Sequence, residues 1–361
     1  MPRFFACLSV LPVLVLSIAC GGRAVDGGPT DGDRPPGAGN VQNAPSVPAT
    51  VLDGVESPRD IAVTNGKLLV NSGRDVPSAT YANIDGTNRR VVTLGGERRA
   101  WLGANGSLVT YGDGRIEALA VTDDDASAPR LYTLSVPWPD VIYGPPDIAM
   151  FAADATYLYW ASFTKGVFRA AWHAAAPSRD DVAELVTSTS PTGATVGARA
   201  VTVDDDNVYW ASHDELLVTP KARGASTSSL TSLLLAEDDK QVDRQLIAVT
   251  NDASAVYLLE RGAIRRVGKA DGRITAPLRF VNAESPAAFV VAGADLYITV
   301  DSSTSTSSGK VLRLPASGGA PVAVASDLRN PYGITADADS VYWTARTYGS
   351  TAGTITSLRV R

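Results

Sequence analysis

Leu158-Tyr159-Trp160, Val208-Tyr209-Trp210 and Val341-Tyr342-Trp343 are three copies of one pattern, an aliphatic residue, a tyrosine and a tryptophan. Working outward from them, a single column can be aligned through Leu69, Val109, Tyr159, Tyr209, Tyr257, Tyr297 and Tyr342, with steps of 40, 50, 50, 48, 40 and 45 residues. A period of this length, filled by several short strands, is the mark of a β-propeller. The first two members lack the tyrosine, but Asn65-Gly66 and Asn105-Gly106 hold them in register.

Each unit reads as four strands. The innermost is small and apolar (Ile61-Ala62-Val63, Ala200-Val201-Thr202-Val203, Gly333-Ile334-Thr335-Ala336), as a crowded axis requires. A polar turn such as Asp204-Asp205-Asp206-Asn207 leads into the tyrosine strand. There the two-residue period sends Val208 and Trp210 to one face and Tyr209 to the other. After Tyr342-Trp343 the chain offers only one more strand, Thr354 to Val360, so the last unit lacks its outer strand. Ala49-Thr50-Val51-Leu52 precedes the first inner strand just as Pro321-Val322-Ala323-Val324 precedes the last. The N-terminal strand is therefore expected to close the ring and cover two edges that would otherwise invite aggregation. The expectation is an all-β fold, a seven-bladed propeller over residues 49–361, with six blades if one degenerate repeat is an insertion.

On these motifs the units resemble the YWTD and NHL classes of propeller repeat, and most closely a group of bacterial secreted lipoproteins. The resemblance covers Ala49 to Arg361 and implies a fold rather than an activity. The chain departs from the YWTD pattern after the tryptophan, with Ala161-Ser162, Ala211-Ser212 and Thr344-Ala345. A blade-linking role for that family's aspartate is therefore not inherited.

Ahead of the repeats, Phe4 to Ile18 is almost wholly apolar and too short to span a bilayer, as in a secretory signal over residues 1–19. Leu16-Ser17-Ile18-Ala19-Cys20 resembles a lipoprotein box, which implies an acyl chain (palmitate) on Cys20 and a lipid bilayer as partner. A plain secretory signal and an uncleaved anchor are the alternatives. Gly21 follows the cysteine, which by the same resemblance favours the outer membrane. Residues 20–48 are rich in Gly, Pro, Asp and Asn and read as a disordered tether with a reach of about 30 Å. The only cysteines are Cys7 and Cys20, so no thiol is left for a disulfide in the repeats.

The formal net charge is −6, from 32 Lys and Arg against 38 Asp and Glu, and no basic stripe with interleaved aromatics occurs. Nucleic acid is therefore not expected as a partner. No cofactor or metal motif is present. His213 lies in Ser212-His213-Asp214-Glu215, which reads as a solvated loop, and His173 ends a third strand toward the other face or the rim. Propeller lyases such as the virginiamycin B lyase group join two histidines and a glutamate at one mouth, an arrangement these positions do not favour. Asp123-Asp124-Asp125 and Asp204-Asp205-Asp206 sit at hairpin turns, where aspartate bonds its own backbone.

Two features share one face. The connections between second and third strands are long in blades six (Asp301 to Gly309), seven (Ala345 to Gly353, with Arg346 and Tyr348) and one (Asn71 to Thr80), and ring closure makes these blades neighbours. Loops displayed on a rigid scaffold commonly carry recognition, although insertions there are also cheap. The connections entering the inner strand carry Arg59, Arg98 with Arg99, Arg199, Arg244 and Arg329, which could form a guanidinium ring unless Glu56, Glu97, Asp243 and Asp327 neutralise it. The sequence reading is a lipid-anchored binding or interaction module, not primarily an enzyme, facing an envelope protein, a glycan or a small ligand. A hydrolase or lyase at the axial mouth and a purely structural surface protein are the alternatives.

Overall fold

The computed structural model describes residues 47–72, 78–93, 99–102, 108–112, 115–120, 130–135, 148–154, 156–171, 184–233, 246–261, 263–275, 278–279, 284–302, 309–346 and 352–360. Among these residues the chain forms seven four-stranded antiparallel sheets, each running in chain order from an inner strand outward except the last. That sheet combines Pro331–Ala336, Ser340–Arg346 and Ala352–Arg359 with the N-terminal strand Ala49–Glu56 as its outer member. Thr50 pairs with Thr356 and Val55 with Gly353, so the two ends of the chain close the ring as the repeat alignment requires.

The seven column residues fall on the second strand of each sheet: Lys67–Ser72, Leu108–Gly112, Tyr157–Ser162, Asn207–Ala211, Ala255–Glu260, Asp295–Ser302 and Ser340–Arg346. Strand alternation then builds the core. Tyr159 and Ala161 of blade three pack against Val208 and Trp210 of blade four. Tyr209 and Ala211 on the opposite face of blade four pack against Val256 and Leu258 of blade five. The same handover runs from Tyr257 to Leu296 and Ile298, from Tyr297 to Val341 and Trp343, and from Tyr342 to Leu68 and Val70 across the closure. The aromatics are thus inter-blade core: Trp160, Trp210 and Trp343 are each fully buried.

A polar device accompanies each of four tyrosines. Asp154, Asp204, Asp252 and Asp337 sit five residues before Tyr159, Tyr209, Tyr257 and Tyr342, and each accepts the phenol hydroxyl at 2.7–3.0 Å. The other carboxylate oxygen caps the hairpin turn: Asp204 Oδ1 accepts the N–H groups of Asp206 and Asn207 at 3.1 and 2.8 Å. This is the Asx-turn chemistry expected of the acidic run. The run at Asp123 lies outside the described residues. Lys221 of blade four reaches back to Asp154 at 2.6 Å, and Lys269 of blade five to Asp204 at 2.7 Å. Burial works against a charged Asp204, but Lys269, the Asn207 N–H and the Tyr209 hydroxyl together hold its carboxyl below the ordinary range. Blade three is therefore tied to blade four, and four to five, through an aspartate placed in the turn ahead of the tyrosine.

Candidate ligand face at the axial mouth

Antiparallel register brings the start of every inner strand to the same end of the sheet as the finish of its second strand. Ile61 pairs with Val70, Val201 with Trp210, Val249 with Leu258, Phe289 with Ile298 and Ile334 with Trp343. These five inner-strand residues are equivalent. One residue earlier stand Asp60, Ala200, Ala248, Ala288 and Gly333, and two residues earlier Arg59, Arg199, Ile247, Ala287 and Tyr332. The first set is small in four blades and carries a carboxylate in blade one. The second set forms the rim of the axial mouth.

Between blades five, six and seven this rim opens into a cavity of about 540 Å³. Ile247, Ala287 and Tyr332 give it an apolar wall, Ser285 and Asn330 add hydrogen-bonding groups, and Arg261, Asp301 and Arg346 supply charge. A volume of this order suits a small ligand. Arg346 is held from two sides. Its Nε donates to the Pro58 carbonyl at 2.8 Å, and its guanidinium lies 5.0 Å over the Tyr332 ring. Burial lowers its pKa, and the like charge of Arg59 adds to this, while Tyr332, Asp60 and Asp301 oppose.

Two threonines pin this sector. Thr344 Oγ1 donates to the Arg59 carbonyl at 2.6 Å and accepts the Gly333 N–H at 2.9 Å. Thr299 Oγ1 donates to the Tyr332 carbonyl at 2.6 Å. Each hydroxyl therefore fixes the rim residue of the following blade. The equivalent positions in blades three to five are Ala161, Ala211 and Leu259, which offer no hydroxyl. Gly333 belongs to the same joint: a Cβ there would stand 2.5 Å from the Arg59 carbonyl oxygen, so only glycine lets blade seven approach blade one this closely.

Asp60 is the residue that the sequence reading passed over. Burial raises its carboxyl to about 6 from an ordinary 3.8, against the pull of an Asn71 side-chain hydrogen bond and of the Arg59 and Arg346 charges. The folded state thus holds a proton that the unfolded chain has released. Asp60 costs nothing below pH 3.8, and its penalty grows as pH rises, becoming complete above about pH 6. Asp60→Asn is expected to stabilise the domain at neutral pH by up to about 3 kcal/mol, with the two proteins converging near pH 4. Denaturation across that range checks this. A variant less stable than the parent at pH 7 would contradict the assignment.

The arginines anticipated at the inner-strand entrances are not all equivalent. Arg59 and Arg199 occupy the same rim position, donating their N–H groups to Asn71 and Ala211 at 2.9 and 2.8 Å, and both side chains are exposed. Arg329 lies three residues ahead of the rim residue Tyr332, and its carbonyl accepts the Arg346 N–H at 2.9 Å. Arg99 opens the inner strand of blade two, but its side chain, like the whole of Arg98, Arg244, Tyr348, His173 and Cys20, lies outside the described residues. The middles of the three long connections, 73–77, 303–308 and 347–351, lie outside them too. His213 is exposed and pairs with the adjacent Asp214. Among the described residues no three His, Cys, Asp or Glu side chains gather as a metal site would need.

No family model matches the chain, and no curated protein does. Solved structures do. The Swd1 β-propeller domain of Myceliophteria thermophila superposes with a TM-score of 0.61 at 10% identity, covering 87% of this chain and 100% of that one. The extracellular domain of a putative one-component system from B. thetaiotaomicron gives 0.57 at 12% identity and 86% coverage, with this chain spanning 42% of its length. Sqt1 of Saccharomyces cerevisiae gives 0.53 at 12% identity, covering 86% and 99%. At such identities the likeness establishes the fold, and the chain is a β-propeller.

Proposed function

We propose that this protein is a lipid-anchored, extracytoplasmic binding module whose contact surface is the axial mouth and its surrounding loops on blades six, seven and one. The observation that carries the reading is convergence. The cavity on blades five, six and seven adjoins a threonine-pinned rim that continues through blade seven to blade one, and the long connections of blades six, seven and one start from this same end of their sheets. Rigid support beneath variable loops is the usual construction of a recognition site. The anchor rests on Cys20 and its preceding box, and residues 20–48 act as the leash that holds the propeller off the bilayer. The resemblance to secreted lipoproteins bearing YWTD- or NHL-like repeats supports a cell-envelope address, with the outer membrane favoured. On this reading the partner is an envelope protein, a glycan or a small ligand.

Two substitutions test the two halves. Cys20→Ser is expected to abolish palmitate labelling and to move the protein from the membrane to the soluble fraction; unchanged labelling would refute the anchor. Tyr348→Ala is expected to weaken capture of the native envelope partner about tenfold while leaving the denaturation midpoint within error. Unchanged capture would remove the loop sector from the interface.

A further inference from the structure

The cavity between blades five, six and seven combines features rarely placed together on an open surface. Its arginine, Arg346, is held by the Pro58 carbonyl through Nε and by the Tyr332 ring, so its guanidinium is fixed before any ligand arrives. Among the described residues its two terminal nitrogens have no hydrogen-bond partner. A second guanidinium, Arg261, stands on the exposed rim of the same cavity. Around them the lining alternates an apolar wall, with Tyr332 42% exposed, and the hydrogen-bonding side chains of Ser285, Asn330 and Asp301.

A pre-oriented guanidinium matches a carboxylate, an exposed aromatic face suits the C–H face of a saturated ring, and scattered amide, hydroxyl and carboxylate groups suit ring hydroxyls. We propose that this cavity binds a small sugar acid, its carboxylate on Arg346 and Arg261 and its ring against Tyr332. The inference rests on the reading of this face as the contact surface, and it names the ligand class.

The test is calorimetry on the detergent-solubilised full chain with D-glucuronate, D-galacturonate and D-mannuronate, each against its uncharged parent sugar. At least one acid is expected to bind saturably, ten or more times tighter than its neutral parent, a difference set by one charge-assisted contact. Arg346→Gln should abolish binding. Because Arg346 also ties blade seven to Pro58, Arg261→Gln on the exposed rim is the second variant and should weaken binding several-fold. Arg359→Gln, at the other end of the blade-seven sheet beside Ser340, should change nothing. Absence of binding by all three acids, or equal binding of acid and neutral sugar, would overturn the proposal. If an envelope protein still maps to this face, only the ligand class fails; if nothing maps there, the contact-surface reading fails with it.

Discussion

A chain lacking Ala49–Glu56 is expected to lose its cooperative fold. This strand is the whole outer edge of the closing sheet, paired along Ala352–Arg359 from Ala49 opposite Ser357 to Glu56 opposite Ala352. It also buries Leu52 and Val55, 5% and 0% exposed, against Ile61, Leu68 and Tyr342 at the joint between blades seven and one. Burial of two such side chains is worth about 3–6 kcal/mol, a large part of the roughly 5–15 kcal/mol that holds an ordinary domain together. The loss would also bare a strand of eight residues as an open edge, the template on which chains aggregate. The expected result is insoluble or protease-sensitive protein, whereas deletion within residues 21–46 should leave unfolding unchanged. A soluble, cooperatively unfolding protein without the strand would show that closure contributes little.

Trp343→Ala is expected to destabilise the domain by about 3–5 kcal/mol, at the upper end of what a single substitution costs. Trp343 is fully buried between blades six and seven, packed with Tyr297, Val311, Val341 and Leu358. Its indole nitrogen has no hydrogen-bond partner among the described residues, so its contribution is packing alone. Trp210 differs, since its indole donates to Thr219 Oγ1 at 3.1 Å. Trp343→Phe should therefore recover much of the loss, because it restores volume and forfeits no bond. Denaturant unfolding of the two variants measures this. Equal destabilisation by both would mean that shape, rather than buried volume, governs the joint.

The fold was legible because strand alternation and a repeat constrain the same residues. Leu69 and Val109 carry no tyrosine, yet the Asn-Gly turns placed them on the second strand of their sheets, where they are found. Ring closure was legible for a similar reason: a missing outer strand at one end and a surplus one at the other have only one economical pairing.

The site was less legible. Asp60 stood in plain view within Ser57-Pro58-Arg59-Asp60-Ile61, but nothing in a single repeat marks it as half-buried with a raised pKa. Its meaning comes from register, which aligns it with Ala200, Ala248, Ala288 and Gly333. The arginines were visible by type and not by position, since Arg329 and Arg59 occupy similar places in the sequence but different places on the rim. Thr344 stands out in the sequence only as a departure after the tryptophan, and Thr299 does not stand out at all. Their hydroxyls matter because they cross to the next blade, a relation between repeats that no one repeat contains. The tyrosine latch was half visible: the acidic turn was recognised, but its partner five residues on was not.

The mouth of blades six, seven and one is where this protein is proposed to meet its partner. The most direct test places a photo-crosslinking amino acid at Tyr332 on the rim, and separately at Asp339 in the turn at the far end of the same blade, in the full-length protein within cells. Both positions are exposed, so access alone cannot distinguish them. Light-dependent adducts from Tyr332 and none from Asp339 are the predicted result. Adducts from Asp339 alone, or from neither position, would contradict it.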